Sequence, residues 1–277
     1  MSYKTILVHL DSPARSTEWL AVAFGLAAQF EAHLVGLYAP GVRRIPSYAL
    51  VEAGPALREL VEQRQAENTR QAEKQFREAA ARHGAAGAEW RATEVDAAAA
   101  VRLSARYADL VVAAQPEPQD APEARYLADE LALSAGRPVL FVPYAGRFAA
   151  IGKRVLIAWD GGREATRAVS DALPILRRAE AVEVAVFDAE RAWREHGEQP
   201  GADIGLYLAR HGVKVAVHRQ SGTGFDVGEQ ILSRAADTSA DLVVMGAYGH
   251  SRMRELVLGG VTRTMLDAMT VPVLMSH

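Results

Sequence analysis

Asp241-Leu-Val-Val-Met-Gly246-Ala-Tyr-Gly249-His-Ser-Arg-Met-Arg-Glu-Leu-Val-Leu-Gly259-Gly260-Val-Thr262 is the stretch from which the fold of this chain can be read. Four apolar residues between an acid and a glycine predict a buried parallel strand. Two glycines three apart follow, then a short amphipathic piece, then a glycine pair that opens Val261 to Met269, whose spacing is helical. Glycine lets the backbone take positive φ and lets a ligand approach where a Cβ would stand in the way. A glycine pair at a helix start leaves free N–H groups at the positive end of the dipole, where a phosphate is stabilised. Strand, glycine turn and glycine-opened helix together read as a phosphate cradle. The spacing leaves other readings open: Gly246 and Gly249 as plain turn residues, and Gly259-Gly260 as a C-cap between two short helices.

The surrounding chain sets the context. Its 277 residues are enough for about two domains, each with a core of its own. Apolar residues make up 49% and charged residues 23%, an ordinary globular profile. The net charge of −3 gives no basic field to recruit nucleic acid or anionic lipid. With no cysteine, disulfides, thiolate nucleophiles and cysteine metal sites are excluded. No apolar run reaches the roughly 18 residues of a membrane span, and the opening Met-Ser-Tyr-Lys runs straight into a strand without a basic-apolar leader. The expectation is a cytoplasmic protein.

Read in order, Lys4 to Asp11 is a short strand ending in an acid, and Ser16 to Phe30 has alanine-rich helical spacing. His33 to Tyr38 is a second strand, and the proline-rich Pro40 to Pro55 a surface loop. Ala56 to about His83 alternates charged and apolar residues as one long, mostly solvated helix, whose face could also meet a partner. A strand at Glu89 to Glu94, a helix around Ala97 to Tyr107 and the strand Asp109 to Ala113 follow. Gln115 to Pro122 holds three prolines and reads as loop. A helix near Arg125 to Ala135 then leads to the strand Pro138 to Val142.

After Tyr144 the pattern repeats. Lys153 to Asp160 repeats Lys4 to Asp11, with Asp160 standing 149 positions after Asp11 (160 − 11). Ala181 to Phe187 repeats Ala32 to Tyr38, Ala240 to Val244 repeats Ala108 to Val112, and Pro272-Val-Leu repeats Pro138-Val-Leu. Four matched blocks in order mark a tandem duplication, with a boundary near Gly146 to Gly152, giving domains at 1–146 and 151–277. The later blocks stand closer, Asp109 and Asp241 only 132 apart (241 − 109), so the first half carries an insertion after Pro40. Strands that alternate with helices predict parallel sheets covered on both faces, with ligands bound beyond the strands' carboxyl ends where strand order reverses.

Gly246-x2-Gly249-x9-Gly259 resembles the nucleotide-binding signature of the universal stress protein family, and the resemblance of a duplicated member covers essentially the whole chain. It departs at Gly260, where the family usually has serine or threonine, while Thr262 matches the following Val-Thr pair. The resemblance implies an α/β fold of two five-stranded parallel-sheet sandwich domains, each of strand order 3-2-1-4-5. It also implies pairing through the fifth strands, Val139 to Val142 and Val271 to Met275, as an intramolecular pseudo-dimer; a further homodimer stays open. The implied nucleotide-binding residues are Asp160 and Phe187 beside the adenine end, and Gly246, Gly249, Gly259, Gly260, Val261 and Thr262 at the phosphate end. The implied ligand is ATP or another adenine nucleotide, with magnesium left open.

Several of these residues have a second reading. Asp160 caps the following helix or binds turn N–H groups just as well as it serves a ligand, since Asp11 occupies the same place in a half without the glycines. Gly161-Gly162 stands where the family has Gly-Ser. Phe187 alone would be a core aromatic. His250, Arg252 and Arg254 flank the cradle and read more simply as solvated. In the first half Ala114 and Glu117 replace the glycines, so that half reads as a copy that kept the fold and lost the site. The histidines show no metal-ligand spacing, and neither a hydrolase triad signature nor a Gly-x4-Gly-Lys-Ser/Thr loop is present. The expected function is a nucleotide-responsive stress-response module with no catalytic residue. The alternatives are a nucleotide-independent scaffold or a slow ATP hydrolase.

Overall fold

The computed structural model describes residues 2–12, 17–40, 54–120, 122–148, 150–187, 201–220, 226–249 and 260–277. The loop read at Pro40 to Pro55 thus falls almost wholly outside the described residues, as do Gly259, His250, Arg252 and Arg254.

The strands are β1 (Thr5–Leu10), β2 (His33–Tyr38), β3 (Glu89–Ala92), β4 (Leu110–Ala114) and β5 (Val139–Val142), then β6 (Arg154–Ala158), β7 (Ala181–Phe187), β8 (Val215–Gln220), β9 (Leu242–Gly246) and β10 (Val273–Ser276). The helices among the described residues are α1 (Thr17–Phe30), α2 (Gly54–Arg82), α3 (Ala97–Ala105), α4 (Pro122–Ser134), α5 (Arg163–Leu176), α6 (Ala202–Arg210), α7 (Val227–Asp237) and α8 (Gly260–Ala268). None of them is long and apolar enough to cross a membrane.

The ten strands form one sheet, ordered β3-β2-β1-β4-β5-β10-β9-β6-β7-β8. Each half therefore has the order 3-2-1-4-5, with parallel pairing throughout. The halves meet antiparallel, with Leu274 opposite Leu140, Val273 opposite Phe141 and Met275 opposite Val139. All of these residues are fully buried. A short apolar edge strand left open in each half would pair with another chain; here each edge satisfies the other.

The core is divided by sheet face rather than by half. One apolar cluster gathers residues of α1, α2, α5 and α6 on one face; the other gathers residues of α3, α4, α7 and α8 on the opposite face. Each runs across the β5–β10 seam, so the apolar burial that stabilises one half is continuous with that of the other.

The polar residues repeat as well. Asp109 accepts N–H bonds from Lys4 and Thr5, and Asp241 accepts them from Gly152, Lys153 and Arg154. Each acid before a fourth strand thus holds the start of its neighbouring first strand. Asp96 and Asp226 cap α3 and α7 by accepting from Ala99 and Gly228.

One helix boundary shifts, and the long helix is mostly solvated as expected. α4 begins at Pro122, earlier than Arg125, because proline fits the first helical position, where no N–H is needed. Only the last three turns of the long α2 are held, by Ala72, Phe76, Ala79 and Ala80. Gly36 on β2 lets the Phe76 ring in: a Cβ there would lie 2.5 Å from the ring edge.

Candidate functional site

In the second half the strand order reverses between β6 and β9, the first and fourth strands of that half. The chain leaves β6 through Trp159-Asp160, leaves β9 through the Gly246–Gly249 turn and ends β7 at Phe187. Asp160, Phe187 and both turn glycines therefore lie at the carboxyl ends of three adjacent strands. α8 opens at Gly260, with Val261 and Thr262 in its first turn. A side-chain link joins this first turn to the glycine turn, because the buried Thr262 Oγ1 accepts a 3.1 Å bond from the Tyr248 N–H. Asp160, Phe187, Gly246, Gly249, Gly260, Val261 and Thr262 thus lie at one end of the second half's sheet, and Gly259 lies outside the described residues.

The individual roles differ from residue to residue. Asp160 Oδ1 accepts the Gly162 N–H at 2.8 Å, the turn-binding role that acids after strands often take. Its other oxygen would stand 3.6 Å from a Cβ on Gly249. Gly246 is required by packing: a Cβ there would come within 2.6 Å of the Ala165 nitrogen and 2.8 Å of Glu164, where the start of α5 crosses β9. Gly249 meets only side-chain atoms, the nearest being Glu164 Oε2 at 3.1 Å. Gly260 is open, with nothing nearer to an added Cβ than Asp226 Oδ2 at 4.0 Å, and its φ is not positive.

Four side chains that the sequence did not single out surround these residues. Glu164, in the first turn of α5, is almost fully buried beneath Gly249, and its carboxylate accepts from Arg163 Nε at 2.6 Å. Burial by itself would raise its pKa. The Arg163 bond, its own backbone N–H and the charges of Arg163 and His277 outweigh that and hold it below the usual carboxylate range. Asp226, the α7 cap, brings a second carboxylate toward Gly260; the sequence signal was Asp226-Val-Gly-Glu229, which resembles a capping box. Tyr248, buried at φ 57°, sends its hydroxyl out of the half altogether, to Asp129 Oδ1 on α4 at 2.6 Å. His277 Nδ1 lies 2.9 Å from the Ala247 carbonyl and closes the turn from the other side.

The matching end of the first half is different. Ala114 ends β4, and beyond it Gln115 is fully buried, its Oε1 accepting from the Tyr144 N–H. A cavity of about 20 Å³ lies there, lined by His9, Asp11, Ala114 and Pro116 among others, room for about one water. His9 is buried against the Ala39 carbonyl, and burial pushes its pKa down.

The fold and crevice define a class: a doubly wound α/β chain with a glycine turn and a helix start facing the switch point of its second half. Residues 152–277 match the model of the universal stress protein family. It is the second half of the chain that is similar to this family. A curated universal stress protein of Synechocystis sp. is 46% identical over 46 residues, a stretch that is 17% of this chain and 16% of that protein. Among solved structures, a universal stress protein of Archaeoglobus fulgidus covers 98% of this chain and 95% of its own, with a TM-score of 0.67 at 16% identity. A functionally unknown protein of Pseudomonas aeruginosa covers 99% and 92%, with a TM-score of 0.56 at 17% identity. These two likenesses extend the fold to both halves.

Proposed function

We propose that the second half binds ATP or another adenine nucleotide in the crevice between β6 and β9, and that the chain is a cytoplasmic, nucleotide-responsive stress-response module rather than a fast enzyme. The observation that carries this reading is the convergence at one switch point of Asp160, the Gly246–Gly249 turn and the Gly260 start of α8. Adenine and ribose would lie toward Asp160 and Phe187. The phosphates would lie toward Gly249 and the amides of Gly260, Val261 and Thr262, where a helix start favours negative charge. In this reading residues 151–277 are the ligand domain and residues 1–146 a copy that lost the site. The small cavity beside His9 and the substitution of Gly249 by Glu117 at the same offset support that division. The test is calorimetry with ATP on the full chain, together with mass spectrometry of small molecules released from freshly purified protein. One site per chain is expected. Two equal sites would sink the division, and the absence of both binding heat and a released nucleotide would sink the reading.

A second reading has an observation of its own. The buried Glu164 carboxylate beneath Gly249, and the lack of a hydroxyl at Gly260, both disfavour a polyphosphate. They favour a nucleotide-independent scaffold, which the same two measurements separate from the first reading.

A further inference from the structure

We infer that the first half of the chain positions the ligand turn of the second, through the hydrogen bond from Tyr248 to Asp129. The inference rests on the nucleotide reading for its affinity measurement alone.

Tyr248 sits between the two turn glycines at φ 57°, in the left-handed region that a bulky residue rarely adopts. Such a conformation persists only where the surroundings over-determine it. Here two contacts do so. Its N–H donates to Thr262 Oγ1, which ties the turn to the start of α8, and its O–H donates to Asp129 Oδ1, which ties the turn to α4 of the other half. Burial and the Asp129 carboxylate push the Tyr248 hydroxyl's pKa up, so it stays a neutral donor through the physiological range.

The second element of the crevice is gripped from the same side. Gln115 Nε2 donates to the Leu266 carbonyl at 2.9 Å, and Arg125 faces Asp267 at 3.8 Å, both partners lying on α8. Residues of the first half thus hold both the glycine turn and the glycine-opened helix. The arrangement is not reciprocal. At the offset of 132 that aligns the fourth strands, Tyr248 corresponds to Pro116, which has neither an N–H nor a hydroxyl to donate. This gives a physical role to a half whose own crevice is nearly filled: it is the fixed body against which the ligand turn is set.

The experiment uses the full chain and three readouts: hydrogen exchange of the Gly246–Gly249 segment, ATP affinity by calorimetry, and Tm. Tyr248→Phe and Asp129→Ala are expected to speed exchange at the turn and to weaken ATP binding about fivefold or more, the low end of usual coupling between sites. Asp129→Asn keeps an acceptor and should stay near the parent in both. Arg178→Ala serves as the control, because Arg178 donates to the Gln29 carbonyl and packs over Phe30 across the seam on the opposite face. It should lower Tm without changing exchange or affinity. Unchanged exchange in Tyr248→Phe and Asp129→Ala would overturn the inference. So would faster exchange with unaltered affinity, or an equal loss of affinity in Arg178→Ala. If the parent protein binds no ATP, the nucleotide reading fails, and the exchange measurement alone decides whether the clamp exists.

Discussion

The glycines of this chain resemble one another in sequence and differ in what surrounds them. Gly246 has the backbone of α5 within 2.6 Å of where a Cβ would go, whereas Gly249 has only the end of the Glu164 side chain. Gly246→Val should therefore destabilise the whole protein by about 1–3 kcal/mol, visible as a lower denaturation midpoint whether or not a ligand is present. Gly249→Ala should leave the midpoint close to the parent's, because the Glu164 carboxylate end can shift. Gly249→Asp should remove ATP binding by adding a third carboxylate beside Asp160 and Glu164. Calorimetry that showed ATP bound as tightly by Gly249→Asp would place the phosphates elsewhere.

Gly260 lies in open space at ordinary φ, so a serine fits there without strain. A hydroxyl bond to a charged oxygen is worth roughly 1.5–3 kcal/mol, so Gly260→Ser should tighten ATP binding about tenfold at unchanged Tm. An unaltered dissociation constant would mean that no phosphate lies near residue 260. Glu164→Gln removes a negative charge from beneath the turn and should also favour ATP. Because the folded state holds the Glu164 pKa low, its contribution to stability is present above the ordinary glutamate value, about 4.3, and is lost as pH falls through the lowered one. The stability gap between parent and Glu164→Gln should accordingly narrow on acidification through that range. A gap that stays constant with pH would show that the ion pair with Arg163 contributes nothing.

At the scale of elements, α8 is placed by contacts that its own sequence does not advertise. A Cβ on Gly228 would lie 2.7 Å from the Thr264 Cβ, so α7 and α8 approach each other only because residue 228 is glycine. Gly228→Ala should push α8 outward, costing about 1–3 kcal/mol and weakening ATP binding with it. Binding unchanged at that cost would separate α8 from the ligand. The paired acids before β4 and β9 make a second comparison. Asp241 holds three strand N–H groups and Asp109 two. Asp241→Ala should therefore be the more damaging change in chemical denaturation, and the opposite order would mean that these bonds do not set the strand starts.

At the scale of the whole molecule, the seam between the halves is both apolar and polar. Beside the buried β5–β10 pair, the Tyr3 hydroxyl donates to the Asp171 carbonyl at 2.7 Å, and Ser276 Oγ donates to the Asp171 carboxylate at 3.0 Å. Burial raises the pKa of Asp171, against the pull of Ser276 and Arg167. A raised folded pKa means that its contribution is full below the ordinary aspartate value, about 3.9, and is lost as pH rises through the folded one. Asp171→Asn keeps an acceptor for Ser276 and carries no charge. Its stability relative to the parent should rise with pH across the carboxylate range and then level off, as thermal unfolding at a series of pH values would show. A relative stability that fell with pH would reverse the assignment.

The sequence by itself determined the repeat and the alternation of strand with helix, and the strand order came with the family resemblance. Period and punctuation are local: Asp-Leu-Val-Val occurs twice, Pro-Val-Leu occurs twice, and alternation of strand with helix admits few topologies. It also carried the family resemblance, which the match over residues 152–277 bears out. What a glycine is for, however, depends on which atoms approach it from distant parts of the chain. Gly246 reads like Gly249 until α5 is laid across β9, and Tyr248 reads as turn filler until α4 brings Asp129 to its hydroxyl. The buried charge at Glu164 was hidden for the same reason, since a glutamate in a helix's first turn is ordinarily a solvated complement to the dipole. Those contacts join residues far apart in sequence, where no periodicity reaches, and only the tertiary structure decided them.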